Sequence, residues 1–447
     1  MMRLILGSDD GTKINLYKDG CILLDGYYPE TTNLDAHVTE SIDVRINGTF
    51  ATIQAKLRDL NRMLVYASEN KIGPLGVWLE FAYNDADALW RSRVYGGLID
   101  YDGKMSYYLK RSQLKIGLII ERDGYWEGPE AQIPLTNGNG TDNTAGLNVF
   151  NCNDGTGTSP NKKNNYVEIG AASVSGDLPA PVRLEMTNNY NSSGRLYDLW
   201  LSHNYYSYPA IFQNILEAEN ADYGGTPYVA TVLSGGKGST FTWAGDTQVN
   251  IARWVLNKDY LNRANKRWFK IIALFDGSVI PGMRLQCKIT FPSGTPLTVV
   301  STSQEIVATG RNIQEIGEMQ IPPWLLSSGD LSAVDLSLYA KKTGGGSFSL
   351  DFLQITPVDA FRILRPRGYG AAYTIRVVDD GIGDQIWTDG WGDGGKTGHY
   401  TSIGNRVELM PGKLQRIYFL MVSDTGGTTI NRTIKVKAFY RPRRLGL

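Results

Sequence analysis

Short runs in which apolar and polar residues alternate are the feature that most constrains the fold of this chain. The run "ESIDVRING" places Ile42, Val44 and Ile46 two residues apart. Successive side chains of a β-strand point to opposite faces, so this spacing predicts a strand with one buried face. Similar runs follow from Val167 to about Pro357 and again towards the C-terminus, with glycine, asparagine and aspartate between them. Short strands separated by turns are typical of a sandwich or barrel, so we expect a mainly β fold.

One segment departs from this pattern. Ile53, Leu57, Leu60 and Leu64 recur at spacings of 4, 3 and 4, which is the period of an amphipathic helix over residues 50–68. Strand patterns lie before and after this segment. Residues 1–133 are therefore predicted to form an α+β domain in which one helix covers an antiparallel sheet.

Turn and loop residues suggest how the chain is divided. The pair Asp19-Gly20 lies between two apolar runs, an arrangement typical of a β-hairpin. Residues 134–179 are rich in glycine and asparagine and are predicted as a linker or contact arm. We expect a jelly-roll-like β-sandwich over residues 180–357 and a C-terminal β-rich domain over residues 358–447.

Composition excludes several classes of protein. The 45 basic residues equal the 45 acidic ones, and a nucleic-acid binder would need a net basic surface. Three widely spaced cysteines predict neither a disulfide framework nor a zinc cluster. No run approaches the ~20 apolar residues of a membrane-spanning helix. The N-terminus has no signal-peptide pattern, so we expect synthesis in the cytoplasm.

Four acidic residues surround Trp126 at the end of the predicted first domain: Glu121, Asp123, Glu127 and Glu130. A glycosidase needs two carboxyl groups on either side of its sugar, and Trp126 could stack on that sugar. Acids at a strand end are common, however, and Arg122 is available to pair with them. The structural interpretation is therefore favoured, with Tyr125 and Trp126 as apolar anchors. It predicts a buried Trp126 and acids that face solvent or Arg122.

Other catalytic patterns are missing from the sequence. None of the three histidines has a recognisable nucleophile setting, and no phosphate loop or zinc-protease motif occurs. We predict that the chain is not an enzyme, while a polysaccharide hydrolase that uses carboxylates alone stays open.

Two further segments carry charge. Residues 379–395 hold five aspartates and two tryptophans, and an irregular hairpin loop is favoured there over a cation site or a contact loop. Residues 435–444 hold five basic side chains. Apolar residues alternate with Lys435 and Lys437 at the start of this segment. A solvated strand face is therefore favoured over a partner-docking tail.

The order of elements in residues 1–130, closed by "LIIERDGYWEGP", resembles the N-terminal domain of bacteriophage distal tail proteins. The following "SGDLPAPVRLEMTN" and the final "YRPRRLGL" are similar to later parts of the same family. The resemblance implies a structural virion protein of the tail tip or baseplate, assembled in the host cytoplasm. In that family a ring, taken here as a hexamer, joins the tail tube to the tip hub.

A second resemblance concerns the segments "NILEAENADYGG" and "GSFSLDFLQITP". They are similar to the first and last strands of β-sandwich carbohydrate-binding modules. The resemblance implies a structural calcium ion held by Glu217, Glu219 and Asp351, and a sandwich that contacts host-surface glycan. The alternative function is a carbohydrate-binding adhesin or receptor-binding tail protein.

Overall fold

The fold is described from a computed structural model. It describes residues 2–18, 20–24, 26–29, 37–71, 75–101, 112–142, 144–152, 164–188, 196–206, 215–231, 233–256, 268–277, 282–291, 299–308, 311–320, 334–364, 376–379, 386–389, 397–399, 402–423 and 433–447.

The chain forms two compact units. Unit 1 comprises Met1–Ala131, Val174–Pro181 and Phe439–Leu447, and unit 2 comprises Gln132–Ser173 and Val182–Ala438. Sheets in unit 2 combine strands that are far apart in the sequence, as the strand order below shows. The linear division at residues 133, 179 and 357 stays a prediction.

Strands are numbered along the chain. The first group is β1 (Arg3–Ser8), β2 (Lys13–Asn15), β3 (Cys21–Leu23), β4 (His37–Asn47), β5 (Val77–Ala82), β6 (Trp90–Asp100), β7 (Gln113–Asp123) and β8 (Trp126–Glu127). The second is β9 (Ala131–Ile133), β10 (Leu135–Asn137), β11 (Gly140–Asp142), β12 (Leu147–Phe150), β13 (Tyr166–Ile169), β14 (Ala180–Asn188) and β15 (Leu196–Tyr206). The third is β16 (Ile215–Glu217), β17 (Thr226–Val229), β18 (Lys237–Trp243), β19 (Val249–Leu256), β20 (Trp268–Asp276), β21 (Arg284–Phe291), β22 (Val299–Thr302), β23 (Ile306–Val307), β24 (Ile313–Gln320), β25 (Val334–Lys341) and β26 (Gly346–Pro357). The last is β27 (Phe361–Leu364), β28 (Arg376–Asp379), β29 (Ile386–Asp389), β30 (Thr397–His399), β31 (Ser402–Gly404), β32 (Glu408–Leu409), β33 (Leu414–Ser423), β34 (Thr433–Tyr440) and β35 (Arg443–Arg444).

The described residues contain one α-helix, α1 (Phe50–Glu69), and four short 3₁₀ helices at Ala171–Ser173, Ala218–Asn220, Ser234–Gly236 and Val358–Ala360. The predicted mainly β fold with one helix is confirmed. Within the described ranges, no helix has the length and apolar character needed to cross a bilayer.

Unit 1 is built on one antiparallel sheet with the strand order β2-β1-β5-β6-β7-β4-β3, to which β8 and β35 are added at β6. Helix α1 begins after Thr49, whose side chain accepts a hydrogen bond from the Thr52 backbone N–H. Ile53, Leu57 and Leu60 are buried in the core together with residues of the sheet. The helix thus uses its predicted apolar face.

The predicted hairpin at Asp19-Gly20 is wrong. Gly20 has a positive φ of 87°, as a turn requires, but β2 and β3 lie at opposite ends of the sheet path. Strand β2 pairs with β1 and strand β3 pairs with β4. The glycine conformation suits a turn, but it does not decide which strands pair.

Unit 2 contains two pairs of sheets. Two sheets are split in sequence, with strand orders β11-β10-β13-β33-β15-β27-β31 and β12-β34-β14-β28-β29-β30. An inserted sandwich, defined as residues 215–357, lies in the sequence between strands β15 and β27 of the first of these sheets. Its own two sheets have the strand orders β17-β18-β26-β20-β24 and β19-β25-β21-β22. Both of its sheets contribute to one apolar core, which includes Phe241, Leu285 and Leu338.

The two sheets of the inserted sandwich differ in how they are covered. In β20, Ile271 and Ala273 face the core of the sandwich. Ile272 and Leu274 pack on the opposite side in a second cluster that includes Phe361 of β27. The sheet with β20 is therefore covered on both faces, which explains why β20 is buried continuously over residues 271–275 and β26 over residues 350–357. In β25, by contrast, Asp335 and Tyr339 are partly exposed between and beside buried residues.

Candidate functional site

Trp126 is packed into the core of unit 1. Its side chain is fully buried in the core, with ring centroids of Trp126 and Phe81 6.1 Å apart. The guanidinium carbon of Arg122 lies 4.7 Å from the centre of the indole, close enough for a cation–π interaction. The predicted burial of Trp126 is confirmed. Tyr125 is partly exposed, and its ring lies 4.4 Å from the guanidinium of Arg443.

Arg122 pairs with Glu40 rather than with the acids next to it. Its Nε donates to Glu40 Oε2 over 2.7 Å, and both side chains are buried. Tyr27 donates its hydroxyl to the same carboxylate oxygen over 2.8 Å. The reason is strand register: Val38 is opposite Arg122 in the β4–β7 pair, so Glu40 is its diagonal neighbour on the same face.

The four acids around Trp126 have different surroundings. Glu121 and Glu130 are at least partly exposed, and Glu121 lies 3.0 Å from His37 Nδ1. Asp123 and Glu127 are buried. The expectation that all of these acids face solvent or Arg122 is therefore wrong for Asp123 and Glu127, because other strands supply their partners.

Glu127 is held between two arginines. Its Oε1 accepts hydrogen bonds from Arg443 Nε at 3.1 Å and Nη2 at 2.9 Å, and its Oε2 lies 3.4 Å from Arg91 Nη2. Arg443 reaches this position because β35 pairs with β8, which places Arg443 opposite Glu127. The predicted solvated face of residues 435–444 therefore does not include Arg443.

Asp123 accepts a hydrogen bond from the Tyr95 hydroxyl over 2.8 Å. Burial raises the pKa of Asp123, the Tyr95 hydrogen bond opposes that rise, and the charge of Glu127 adds to it. Tyr95 also stacks on His37, with ring centroids 4.1 Å apart. The acids near Trp126 thus belong to a network of ion pairs and aromatic rings, which we call the ionic corner (residues 121–128 with Tyr95, Arg91 and Arg443).

Backbone contacts close the ionic corner. The Gly128 N–H donates to the Pro442 carbonyl over 2.8 Å, and the Asp177 N–H donates to the Arg443 carbonyl over 2.8 Å. A Cβ atom on Gly128 would lie 2.8 Å from Pro442 Cγ, so glycine is required there for steric reasons. Three segments that are distant in sequence are thereby fixed to one another within unit 1.

The three residues expected to bind calcium meet in the inserted sandwich. Asp351 of β26 is fully buried, and Glu217 and Glu219 are partly buried. The backbone N–H of Ser234 donates to Asp351 Oδ1 over 2.9 Å, and its hydroxyl donates to Glu217 Oε1 over 2.7 Å. We call Glu217, Glu219 and Asp351 the acidic cluster.

Ionising the carboxyl groups of the acidic cluster is unfavourable, because they are buried and lie close to one another. Burial raises the pKa of Glu217 to about 8, the Ser234 hydrogen bond opposes the rise, and the charge of Glu219 adds to it. Burial and the charge of Glu217 also raise the pKa of Asp351 well above its usual range. Each of the three carboxylates has one buried oxygen without a hydrogen-bond partner: Glu217 Oε2, Glu219 Oε2 and Asp351 Oδ2.

These unpaired oxygens match the ligand preference of a hard cation, since calcium is bound by carboxylate and carbonyl oxygens. As they are placed, however, no three or more His, Cys, Asp or Glu side chains in the described ranges form a group that could hold a metal ion. Sequence reasoning also missed Ser234, which links two of the three acids and which no spacing rule would have indicated.

The segment 379–395 is described only in part. Strands β28 and β29 pair as an antiparallel hairpin, with Val378 opposite Trp387. The connecting residues, which include Asp380 and Asp384, lie outside the described residues, as does Asp393 after β29.

Comparison with known proteins gives no relative that could assign a function: no family model matches the sequence, and no curated protein matches it.

Proposed function

We propose that this chain is a structural protein of a bacteriophage tail tip or baseplate. Six copies form a ring through unit 1, and the ring joins the tail tube to the tip hub in a virion assembled in the host cytoplasm. The inserted sandwich contacts host-surface glycan. No catalytic role is part of this proposal.

The architecture of unit 1 supports the proposal. Its C-terminal segment Phe439–Leu447 belongs to the same compact unit as the first 131 residues, so in the sequence the segments of unit 2 are inserted between segments of unit 1. A ring protein needs such a closed assembly module, from which other domains can project without interrupting it. Because residues 1–130 resemble the N-terminal domain of distal tail proteins, we assign ring formation to that module.

The observation that carries the proposal is the distribution of exposed apolar side chains. Among the described residues, fourteen large apolar side chains are exposed, and eight of them belong to unit 1, which holds about one third of the chain. The eight are Ile22, Tyr28, Phe50, Val65, Leu75, Tyr83, Leu98 and Tyr101. The excess of such side chains in unit 1 supports an association surface there, because exposed apolar patches often mark interaction sites. In a cyclic ring, one face of each subunit contacts a different face of the next.

We further propose that the acidic cluster binds a structural calcium ion, with Glu217, Glu219 and Asp351 as ligands. The three unpaired, buried carboxylate oxygens support this, because a cation would neutralise charges that burial makes costly. Bound calcium would fix the segment around Ser234 to β26.

Negative-stain electron microscopy and light scattering of the purified chain test the ring. We expect sixfold rings and a mass of six chains. Leu98→Glu and Val65→Glu, at exposed positions of unit 1, should each be compared with Val229→Glu, at an exposed position of unit 2. At least one unit 1 variant should be monomeric, and Val229→Glu should retain the ring.

A wild-type chain that stays monomeric up to millimolar concentration, with no rings in any image, would refute the proposal. Rings that survive both unit 1 substitutions but are lost in Val229→Glu would place assembly in unit 2 and refute it as well.

A further inference from the structure

Unit 1 contains a cavity of about 260 Å³ near the start of β6. Three aromatic rings and a leucine supply most of its apolar lining, from Phe81, Tyr83, Trp90 and Leu447. Arg444 also lines the cavity. Pockets for drug-sized molecules typically measure about 300–1,000 Å³, so this cavity is better matched to a single side chain. We call it the aromatic pocket.

Contacts within unit 1 hold the walls of the aromatic pocket in place. The rings of Phe81 and Tyr83 meet edge to face, with centroids 4.9 Å apart. The Tyr83 hydroxyl donates to the backbone oxygen of Leu447 over 2.7 Å, and the guanidinium carbon of Arg444 lies 4.7 Å from the centre of the Trp90 ring. Because the walls are already ordered, a side chain that enters the pocket loses little binding energy to ordering them.

An exposed leucine lies on the same strand as Trp90, eight residues further along. Leu98 is 54% exposed. It points away from the core of unit 1, because the next residue, Ile99, packs against that core. At ~3.3 Å per residue of strand, Trp90 and Leu98 lie about 25 Å apart. Leu98 therefore cannot enter the aromatic pocket of its own chain.

The surroundings of Leu98 and of the aromatic pocket carry opposite charges. Asp100 is exposed and lies on the same face of β6 as Leu98, and Arg444 is exposed at the pocket. Among the described residues, neither Asp100 nor Arg444 takes part in an ion pair. The carboxylate of Asp87, which also lines the pocket, already accepts a hydrogen bond from Asn84 Nδ2 over 2.6 Å. Arg444 is thus free to pair with an acid from a second chain.

We infer that Leu98 of one chain inserts into the aromatic pocket of a second copy, where Asp100 of the first chain pairs with Arg444 of the second. The inference rests on the proposed ring and identifies the two surfaces that form it. A head-to-tail contact needs two different patches on separate parts of each subunit, and Leu98 and the pocket meet this requirement. Burial of the leucine side chain supplies the main stabilisation, and the ion pair fixes the orientation.

Disulfide trapping in the full chain tests this contact directly. Tyr83→Cys, at the pocket, is combined with Leu98→Cys in one chain and oxidised. The two positions are too far apart to bond within a chain, so each disulfide between them must join two chains. The native cysteines Cys21, Cys152 and Cys287 are buried, and the oxidised wild type should stay unlinked. We expect cross-linked species of increasing size that end in a closed ring.

A matched control pairs Tyr83→Cys with Val65→Cys. Val65 is 55% exposed on helix α1, as accessible as Leu98 but outside the inferred contact. This pair should give no cross-linked species beyond those of the wild type. Equal cross-linking of both pairs would show that the reaction reflects accessibility alone and would overturn the inference.

Assembly measured by light scattering across a dilution series gives an independent readout. Leu98→Ala should raise the concentration of half-assembly by about ten-fold or more, as expected for the loss of a buried leucine, and Val65→Ala should not change it. Asp100→Arg and Arg444→Asp should each weaken assembly, and the double variant should recover it. A structural role of Arg444 beside Trp90 would not be rescued by Asp100→Arg, so a double variant no better than the single ones refutes the ion pair.

Electron microscopy of the same samples separates this inference from the proposed ring. Rings that form without the Tyr83–Leu98 cross-link, and that assemble normally in Leu98→Ala, refute the inference and leave the ring intact. Cross-linked chains that grow without closing support the contact and refute the ring. The absence of both rings and cross-links refutes both proposals.

Discussion

Replacing Glu127 by glutamine distinguishes a structural ionic corner from an active site. The substitution keeps the size of the side chain but removes its charge. Arg443 and Arg91 would lose the carboxylate that they share. If the corner is structural, we expect the free energy of unfolding of unit 1 to fall.

The size of the effect follows from the burial of the three side chains. Removing one partner of a fully buried ion pair costs about 3–5 kcal/mol. The side chains of Arg443 and Arg91 are 17% and 22% exposed, so water can partly solvate them after the substitution. We therefore expect a loss of about 2–3 kcal/mol.

Hydrogen exchange followed by mass spectrometry is the appropriate assay, because it reports on each unit separately. A loss of 2–3 kcal/mol corresponds to exchange that is faster by about 30- to 150-fold in peptides of β7. Peptides of β26, in unit 2, should be unchanged and serve as an internal control. Glu121→Gln should cost less than about 1 kcal/mol, because the carboxylate of Glu121 is 44% exposed.

A double-mutant cycle makes the prediction stricter. Adding Arg443→Met to Glu127→Gln should cost less than the sum of the two single substitutions, by about 1–3 kcal/mol. Unchanged exchange in Glu127→Gln, with no coupling to Arg443, would show that the pair does not stabilise unit 1. A polysaccharide-cleaving activity that this variant abolishes without loss of stability would restore the hydrolase.

Three further predictions concern the ionic corner and the acidic cluster. Trp126→Ala should destabilise unit 1 by about 3–5 kcal/mol and Trp126→Phe by less; equal denaturation midpoints would disprove the anchor. Burial raises the pKa of Asp123 in the folded chain above the value of about 4 that an unfolded aspartate has. Protonated Asp123 therefore favours the folded state below about pH 4, and this contribution to stability is lost as the pH rises from there to the folded pKa. Asp123→Asn should remove that fall in urea titrations from pH 4 to 8, and parallel curves for variant and wild type would contradict this. Calcium at 100 times its Kd should stabilise the chain by about 2.7 kcal/mol over EDTA, an increment that Glu217→Gln should abolish; identical melting with and without calcium would argue against the metal.

The sequence predicted local features well, because the forces that decide them act over a few residues. The spacing of Ile53, Leu57, Leu60 and Leu64 gave the helix, and all four side chains are buried. Trp126 lies three residues beyond the end of the alternating strand β7, in step with its buried side chains, so its burial could also be expected. In both cases the partner of each residue did not need to be known.

Partners that are distant in sequence could not be predicted. Arg443 lies 316 residues beyond Glu127, and only the pairing of β35 with β8 brings them together. The same limit explains the error at Asp19-Gly20, where the turn was evident but the pairing of its flanking strands was not.

The two groups of acidic residues differ in whether their oxygens are satisfied, and this difference argues for different roles. In the ionic corner, both oxygens of Glu127 lie within reach of a guanidinium group, and Asp123 accepts the Tyr95 hydroxyl. A ligand entering there would first have to break bonds that hold the chain together. In the acidic cluster, each carboxylate keeps one buried oxygen unpaired, so binding a cation would require the three side chains to rearrange from their present positions but would break no hydrogen bond of those oxygens. The acids that first suggested catalysis are therefore better explained as structural, and those of the inserted sandwich are the better candidates for binding.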